Sequence, residues 1–116
     1  MNDIAIHSVT ADLLADGWKQ ICSIDDIPVL GSRVVASASG DIAIFRNSAD
    51  EVFAVHDRCP HKAGPLSQGI VHGRQVTCPL HSWKIELETG NAVAPDVGCT
   101  RSFAVRLVDG NVLLKA

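Results

Sequence analysis

Short apolar runs separated by turn residues are the main pattern of this chain. Phe103, Val105 and Leu107 alternate with other residues, which is typical of a strand with one apolar face. Asp109–Gly110 stands between two apolar runs and predicts a two-residue hairpin, because glycine accepts the positive φ of a tight turn. Strands are predicted at Trp18–Ser23, Arg33–Ser37, Asp41–Arg46, Val52–Asp57, Ile70–Val71, Gln75–Thr77, Trp83–Leu87, Ser102–Val108 and Asn111–Leu114.

Closely spaced strands of this kind predict an all-β fold, a small antiparallel sandwich or barrel. Helix is expected only as single turns, at Thr10–Ala15 and Ile24–Ile27. A chain of 116 residues has room for one domain. We expect that domain at residues 18–116, after a loosely held N-terminal lead at residues 1–17.

Charge and composition exclude several classes of function. The net charge is -3 and no basic stripe stands out, so neither a nucleic acid nor a membrane surface is expected as a partner. The start of the chain lacks the features of a secretory signal, and no apolar run is long enough to span a bilayer, so a cytoplasmic protein is predicted. No glycine-rich dinucleotide fingerprint is present, so NAD chemistry would have to come from a partner.

Two short boxes of cysteine and histidine carry the candidate chemistry. They are Cys59-Pro60-His61 and Cys78-Pro79-Leu80-His81, with sixteen residues between His61 and Cys78. Each box follows a predicted strand, so two loops can close on one centre. Two thiolates and two imidazoles suit a binuclear 2Fe-2S centre whose irons have different ligands. Zinc would accept the same four residues, but common zinc fingers pair Cys with Cys and His with His.

The mixed ligand set has a consequence for electron transfer. Two ferric ions, two sulfides and two thiolates sum to zero charge, whereas four thiolates would leave a dianion. Adding an electron to a neutral centre costs less, so the ligands predict a reduction potential above that of an all-cysteine cluster. Because each imidazole keeps a second ring nitrogen, electron and proton binding should be coupled at sufficiently high pH.

Longer stretches around the boxes match a known family. They are Trp18–Cys22, Asp25–Pro28, Cys59–Gly69, Cys78–Trp83, Leu87–Gly90 and Gly98–Cys99. Over about residues 18–116 the chain resembles the Rieske ferredoxins, and more narrowly the small subunit of the assimilatory NAD(P)H-dependent nitrite reductase. The resemblance implies that Cys59 and Cys78 hold one iron and His61 and His81 the other. One cluster per chain would be bound by loops at about residues 58–69 and 78–84.

The resemblance also implies a partner and a reaction. In the nitrite reductase, a large subunit with flavin, a four-iron cluster and siroheme reduces nitrite to ammonium with NAD(P)H. This chain would be its electron-transfer subunit, with no catalytic residues of its own. Two alternatives stay open. One is a stand-alone ferredoxin that carries electrons from a flavin reductase to a ring-hydroxylating oxygenase, and the other is a structural module whose cluster stiffens a docking surface.

Three positions near the boxes bear on the reduction potential. High-potential Rieske proteins have an additional cysteine in each box, and this chain has Gly64 and Leu80 there. They also have a hydroxyl that donates to a bridging sulfide, where this chain has Trp83. The resemblance therefore implies a potential toward the low end of the Rieske range.

The remaining candidates are assigned ordinary structural roles. Cys22 lies in an apolar run and is expected to be a buried free thiol. Cys99 is expected to be the same, although its more polar loop allows exposure. The histidines expected to lie outside the ligand set are His7, His56 and His72, and the cations expected to be solvated surface charges are Arg58, Lys62 and Lys84.

Overall fold

Nine strands in the described part of the chain form two antiparallel sheets, which confirms the predicted all-β fold. The computed structural model describes residues 17–38, 40–60, 64–79 and 82–115. Every predicted strand is present, and its ends agree with the prediction to within one residue. The strands are β1 (Lys19–Ser23), β2 (Ser32–Ser37), β3 (Gly40–Arg46), β4 (Val52–His56), β5 (Ile70–His72), β6 (Gln75–Thr77), β7 (Lys84–Glu86), β8 (Ser102–Val108) and β9 (Asn111–Lys115).

The large sheet has six strands in the order β1-β9-β8-β4-β3-β2, and the small sheet has the order β5-β6-β7. Strand β4 pairs with β8 only at Ala54↔Phe103 and Val55↔Ser102, after which β8 continues beside β9. This divergence limits the apolar face predicted for β8. Phe103 is buried at the paired end, whereas Leu107 is 41% exposed because β4 does not extend beside it.

The hairpin between β8 and β9 is confirmed at Asp109 and Gly110. Both residues have positive φ, 50° and 80°, as a type I′ turn requires. Val108 and Asn111 are paired directly across the turn. Glycine at the second position therefore carries no steric penalty, and the turn sets the register of the last two strands.

A 3-10 turn at Ile24–Asp26 occupies the place of the predicted helical turn, and a second 3-10 turn lies at Leu66–Gln68. Ser23 caps the first turn, and the Asp26 carboxylate accepts a hydrogen bond from the Ser23 backbone N–H. The next residue, Ile27, is fully buried. The Arg46 guanidinium donates to the carbonyl oxygen of Ile27 at 3.0 Å, which attaches this turn to the end of β3.

Two groups of buried side chains form the core. One contains side chains of the large sheet and side chains of the small sheet, and the other lies within the large sheet. Each fully buried large aliphatic side chain stabilises the fold by about 1.5–3 kcal/mol. The first group, here called the inter-sheet core, consists of Ala43, Phe45, Val55, Cys59, Leu66, Val71, Val76, Cys78, Ile85 and Leu87.

Several predictions fall outside the described residues. One set concerns the N-terminal lead up to residue 16, which includes His7 and the predicted turn at Thr10–Ala15. The other set concerns four residues of the cysteine loops, His61, Lys62, Leu80 and His81. Among the residues that are described, no helix has the length and apolar character needed to cross a membrane.

Candidate metal centre

The first cysteine loop leaves the end of β4 and turns back on itself within a few residues. Cys59 is 1% exposed and belongs to the inter-sheet core. Its backbone N–H donates to the carbonyl oxygen of Gly64 at 2.8 Å, which closes a loop over the position of His61. The sequence therefore folds here into a closed turn that begins at a buried thiol.

The second cysteine loop is built in the same way. Cys78 follows β6 directly, is also 1% exposed and belongs to the same core. Its backbone N–H donates to the carbonyl oxygen of Trp83 at 2.6 Å, across a loop that includes His81. In each loop the cysteine N–H thus binds the carbonyl five residues later, so both loops return to their starting point in the same way.

Close backbone packing joins the two loops. Gly69 ends the first loop, and a Cβ at this position would clash with the carbonyl oxygen of Thr77, the residue before Cys78. The φ of Gly69 is -81°, which any residue adopts, so space and not conformational freedom requires glycine here. The structure places the exit of the first loop directly against the entry of the second.

A third segment lies beside the first loop. Gly98 has φ of 137° and approaches Pro60 so closely that a Cβ would lie 3.2 Å from the proline Cβ. Its neighbour Val97 is 85% exposed. In the sequence, only the Gly98–Cys99 match indicates this segment, because contact between residues nearly forty positions apart has no local pattern.

The other cysteines differ in exposure. Cys22 is buried as expected, and burial raises the pKa of its thiol, so this group stays protonated and unreactive. Cys99 is exposed, so the expectation of a buried thiol is wrong there. Cys99 is held by a single β-bridge to Asn91 in an irregular segment, which leaves its side chain at the surface.

The remaining histidines and cations lie around the loops. The His56 ring packs edge-on against Phe103, with ring centroids 5.2 Å apart. His72 belongs to β5 and not to a turn, and its Nε2 lies 2.7 Å from the Thr77 hydroxyl. Arg58 and Lys84 are exposed and form no ion pair with the described residues, as solvated charges would.

The described part of the site fits an iron-sulfur cluster by its donor chemistry. Cys59 and Cys78 bring two soft sulfur donors from two closed loops into one buried core. The backbone contact between Gly69 and Thr77 fixes the loops relative to each other. A thiolate pair in a dry, rigid surrounding is suited to hold iron with little rearrangement on electron transfer.

Comparisons with known proteins identify the family. The chain is 36% identical over 96 residues to the anthranilate 1,2-dioxygenase ferredoxin subunit of Burkholderia cepacia, covering 82% of this chain and 88% of that one. A 46-residue stretch, 40% of this chain, is 54% identical to 4beta-methylsterol monooxygenase of Methylococcus capsulatus, of which it spans only 12%.

A solved structure matches the fold along almost its whole length. It is described as a nitrite reductase NADPH small-subunit oxidoreductase protein, with a TM-score of 0.76 and 26% identity, covering 85% of this chain and 98% of that one. The Rieske-like 2Fe-2S domain family matches residues 17–115. The chain therefore belongs to the Rieske-like 2Fe-2S domain family and is an electron-transfer protein with a Rieske 2Fe-2S cluster.

Proposed function

We propose that Cys59 and Cys78 bind one iron of the cluster and that His61 and His81 bind the other. The burial of both cysteines in one core and the matching closure of their loops support this assignment. When bound, the cluster stores one electron at a time. The chain itself buries both cysteines away from water and closes both loops with backbone hydrogen bonds.

The ligand assignment is tested with serine variants. Cys59→Ser and Cys78→Ser should each remove most of the visible absorption of the cluster, whereas Cys99→Ser, the same change at an exposed thiol, should leave it intact. Mössbauer spectra of the unaltered protein should show two inequivalent irons. A colourless protein that retains stoichiometric zinc as purified would contradict the assignment.

As the partner enzyme, we propose an NAD(P)H-dependent nitrite reductase that forms ammonium in nitrate assimilation. The observation that carries this proposal is the match to the nitrite reductase small-subunit structure over 98% of that chain, together with the family stretches that flank both boxes. The partner would be a large subunit with flavin and siroheme. Because NAD(P)H is a cytoplasmic reductant, the complex would work in the cytoplasm.

A ferredoxin of a ring-hydroxylating dioxygenase system is the second candidate. The 36% identity to the anthranilate dioxygenase ferredoxin subunit favours it. Both candidates use the same cluster and differ in the surface that meets the partner. In either case electrons would arrive from a flavin enzyme, because the chain has no dinucleotide fingerprint of its own.

Co-purification and reconstitution distinguish the two candidate partner enzymes. We expect the chain to form a stable complex with the siroheme subunit from the same genome and to be needed for NAD(P)H-dependent nitrite reduction. Absence of that complex, together with reduction by a flavin reductase and electron delivery to an oxygenase, would favour the second candidate.

One variant separates electron relay from a purely structural role. His81→Cys should keep a cluster of lower potential and full complex assembly but lose nitrite turnover, if the cluster relays electrons. Full turnover at the altered potential would instead support a structural module.

A further inference from the structure

Asp57 binds Ser67, at the far end of the first cysteine loop, through its side chain. It directly follows β4, and one carboxylate oxygen, Oδ1, accepts the Ser67 backbone N–H at 2.6 Å. The other, Oδ2, accepts the Ser67 hydroxyl at 2.7 Å. Hydrogen bonds to an ionised acceptor are short and about twice as strong as neutral ones. The two bonds therefore close the loop that contains Cys59.

Ser67 connects this clamp to the large sheet. Its carbonyl oxygen accepts a hydrogen bond from the Ser32 hydroxyl of β2 at 2.9 Å. The Asp57 backbone N–H donates to the carbonyl oxygen of Asp41, in β3, at 2.9 Å. Both ends of the first loop are thus attached to neighbouring strands through the pair Asp57 and Ser67.

The Asp57 carboxylate also brings a negative charge close to the site. It lies two residues from Cys59, so the two Cα atoms are at most about 7 Å apart. Asp57 is half-buried and forms no ion pair with any residue of the described ranges. A nearby negative charge makes the addition of an electron less favourable.

We propose that Asp57 is a positioning residue that holds the first cysteine loop through Ser67 and whose charge lowers the reduction potential of the cluster. The charge effect would add to that of Trp83, which stands where high-potential Rieske proteins have a hydroxyl donor. This inference depends on cluster binding by Cys59 and is independent of the client protein.

Opposite shifts of the potential test the proposal. Asp57→Asn removes the charge and should raise the potential. Ser67→Ala keeps the charge but removes the hydroxyl that donates a hydrogen bond to the Asp57 carboxylate and partly offsets its charge, so the reduction potential should fall. Chelators should also extract iron faster, because the loop is held less firmly. Asp41→Asn removes an exposed carboxylate from the neighbouring strand and is the matched control, with a smaller rise than Asp57→Asn.

The potentials are measured by protein-film electrochemistry, and spin resonance spectra of the reduced cluster check that its ligands are unchanged. Equal shifts for Asp57→Asn and Asp41→Asn, or shifts of the same sign for Asp57→Asn and Ser67→Ala, would overturn the proposal. If Asp57→Asn holds no cluster, the shift of the reduction potential in Ser67→Ala decides. A rise or no change of the potential in that variant would overturn the proposal. Failure of the ligand assignment would appear separately, in the Mössbauer spectra of the unaltered protein.

Discussion

The two cysteine loops do the same chemical task but are held by different means. The first is attached to the large sheet by side chains, through Asp57, Ser67 and Ser32. The second connects β6 and β7, strands of three residues each, and is held by backbone pairing and by the buried side chains of Val76 and Ile85. The second loop can therefore be placed only as accurately as the small sheet that carries it.

The small sheet is anchored at the end opposite to the cysteines. Asn47 is 2% exposed, and its side-chain amide donates to the carbonyl oxygen of Gly73, in the turn between β5 and β6, at 3.0 Å. The same side chain accepts the backbone N–H groups of Ala49 and Glu51. Glu51 in turn forms an ion pair with Arg74 at 2.7 Å. These residues, here called the distal anchor, attach the small sheet to the hairpin between β3 and β4.

Substitution at the junction of the loops should have the largest effect. In Gly69→Ala, the added Cβ would meet the Thr77 backbone oxygen, and no side-chain rotation relieves that clash. Overpacking of this kind costs about 3 kcal/mol. We expect a lower urea midpoint and loss of most of the visible absorption of the cluster, because the two cysteines can no longer approach each other.

Gly73→Ala is the matched control for this prediction. Gly73 has φ of 59° and open space around its Cα, so alanine there brings conformational strain without a clash. The expected cost is about 1 kcal/mol, with the cluster retained. Equal losses of stability and cluster in the two variants would show that the contact between the loops has no special role.

Loss of the distal anchor should have an intermediate effect. Asn47→Ala leaves the carbonyl of Gly73 without its donor and two backbone N–H groups without their acceptor, at a cost of about 2–3 kcal/mol. Hydrogen exchange should increase more in β5 and β6 than in β8 and β9, since the small sheet loses one of its attachments to the large sheet.

A less buried asparagine supplies the comparison for Asn47. Asn111 accepts a hydrogen bond from the Gln20 side chain at the surface, so Asn111→Ala should change stability by no more than about 0.5 kcal/mol. A uniform increase of exchange over both sheets in Asn47→Ala would contradict the role of the distal anchor.

The sequence predicted local features of the fold and missed contacts between distant segments. The strands and the hairpin at Asp109 could be predicted, because alternation and turn residues act over a few positions. The hydrogen bond from Asn47 to Gly73 joins residues far apart in the chain and has no such local pattern. Likewise no local pattern indicates the close approach of Gly69 to Thr77. Cys59 and Cys78 were identified because their spacing to histidine is a chemical pattern, while the contacts that place them come from distant strands.

The smallest predicted effect concerns the exposed part of the distal anchor. Hydrogen bonding and charge from Arg74 lower the pKa of the Glu51 carboxyl. A carboxyl with a lowered pKa stabilises the fold above its unfolded pKa, and this contribution is lost as pH falls through the folded value. The urea midpoint of the unaltered protein should exceed that of Arg74→Gln at pH 7, and the gap should close between about pH 5 and pH 3.

Arg33→Gln, at an exposed arginine without an ion pair in the described residues, should show no such pH-dependent gap. A gap that persists at low pH would mean that Arg74 stabilises the anchor by packing and not through Glu51.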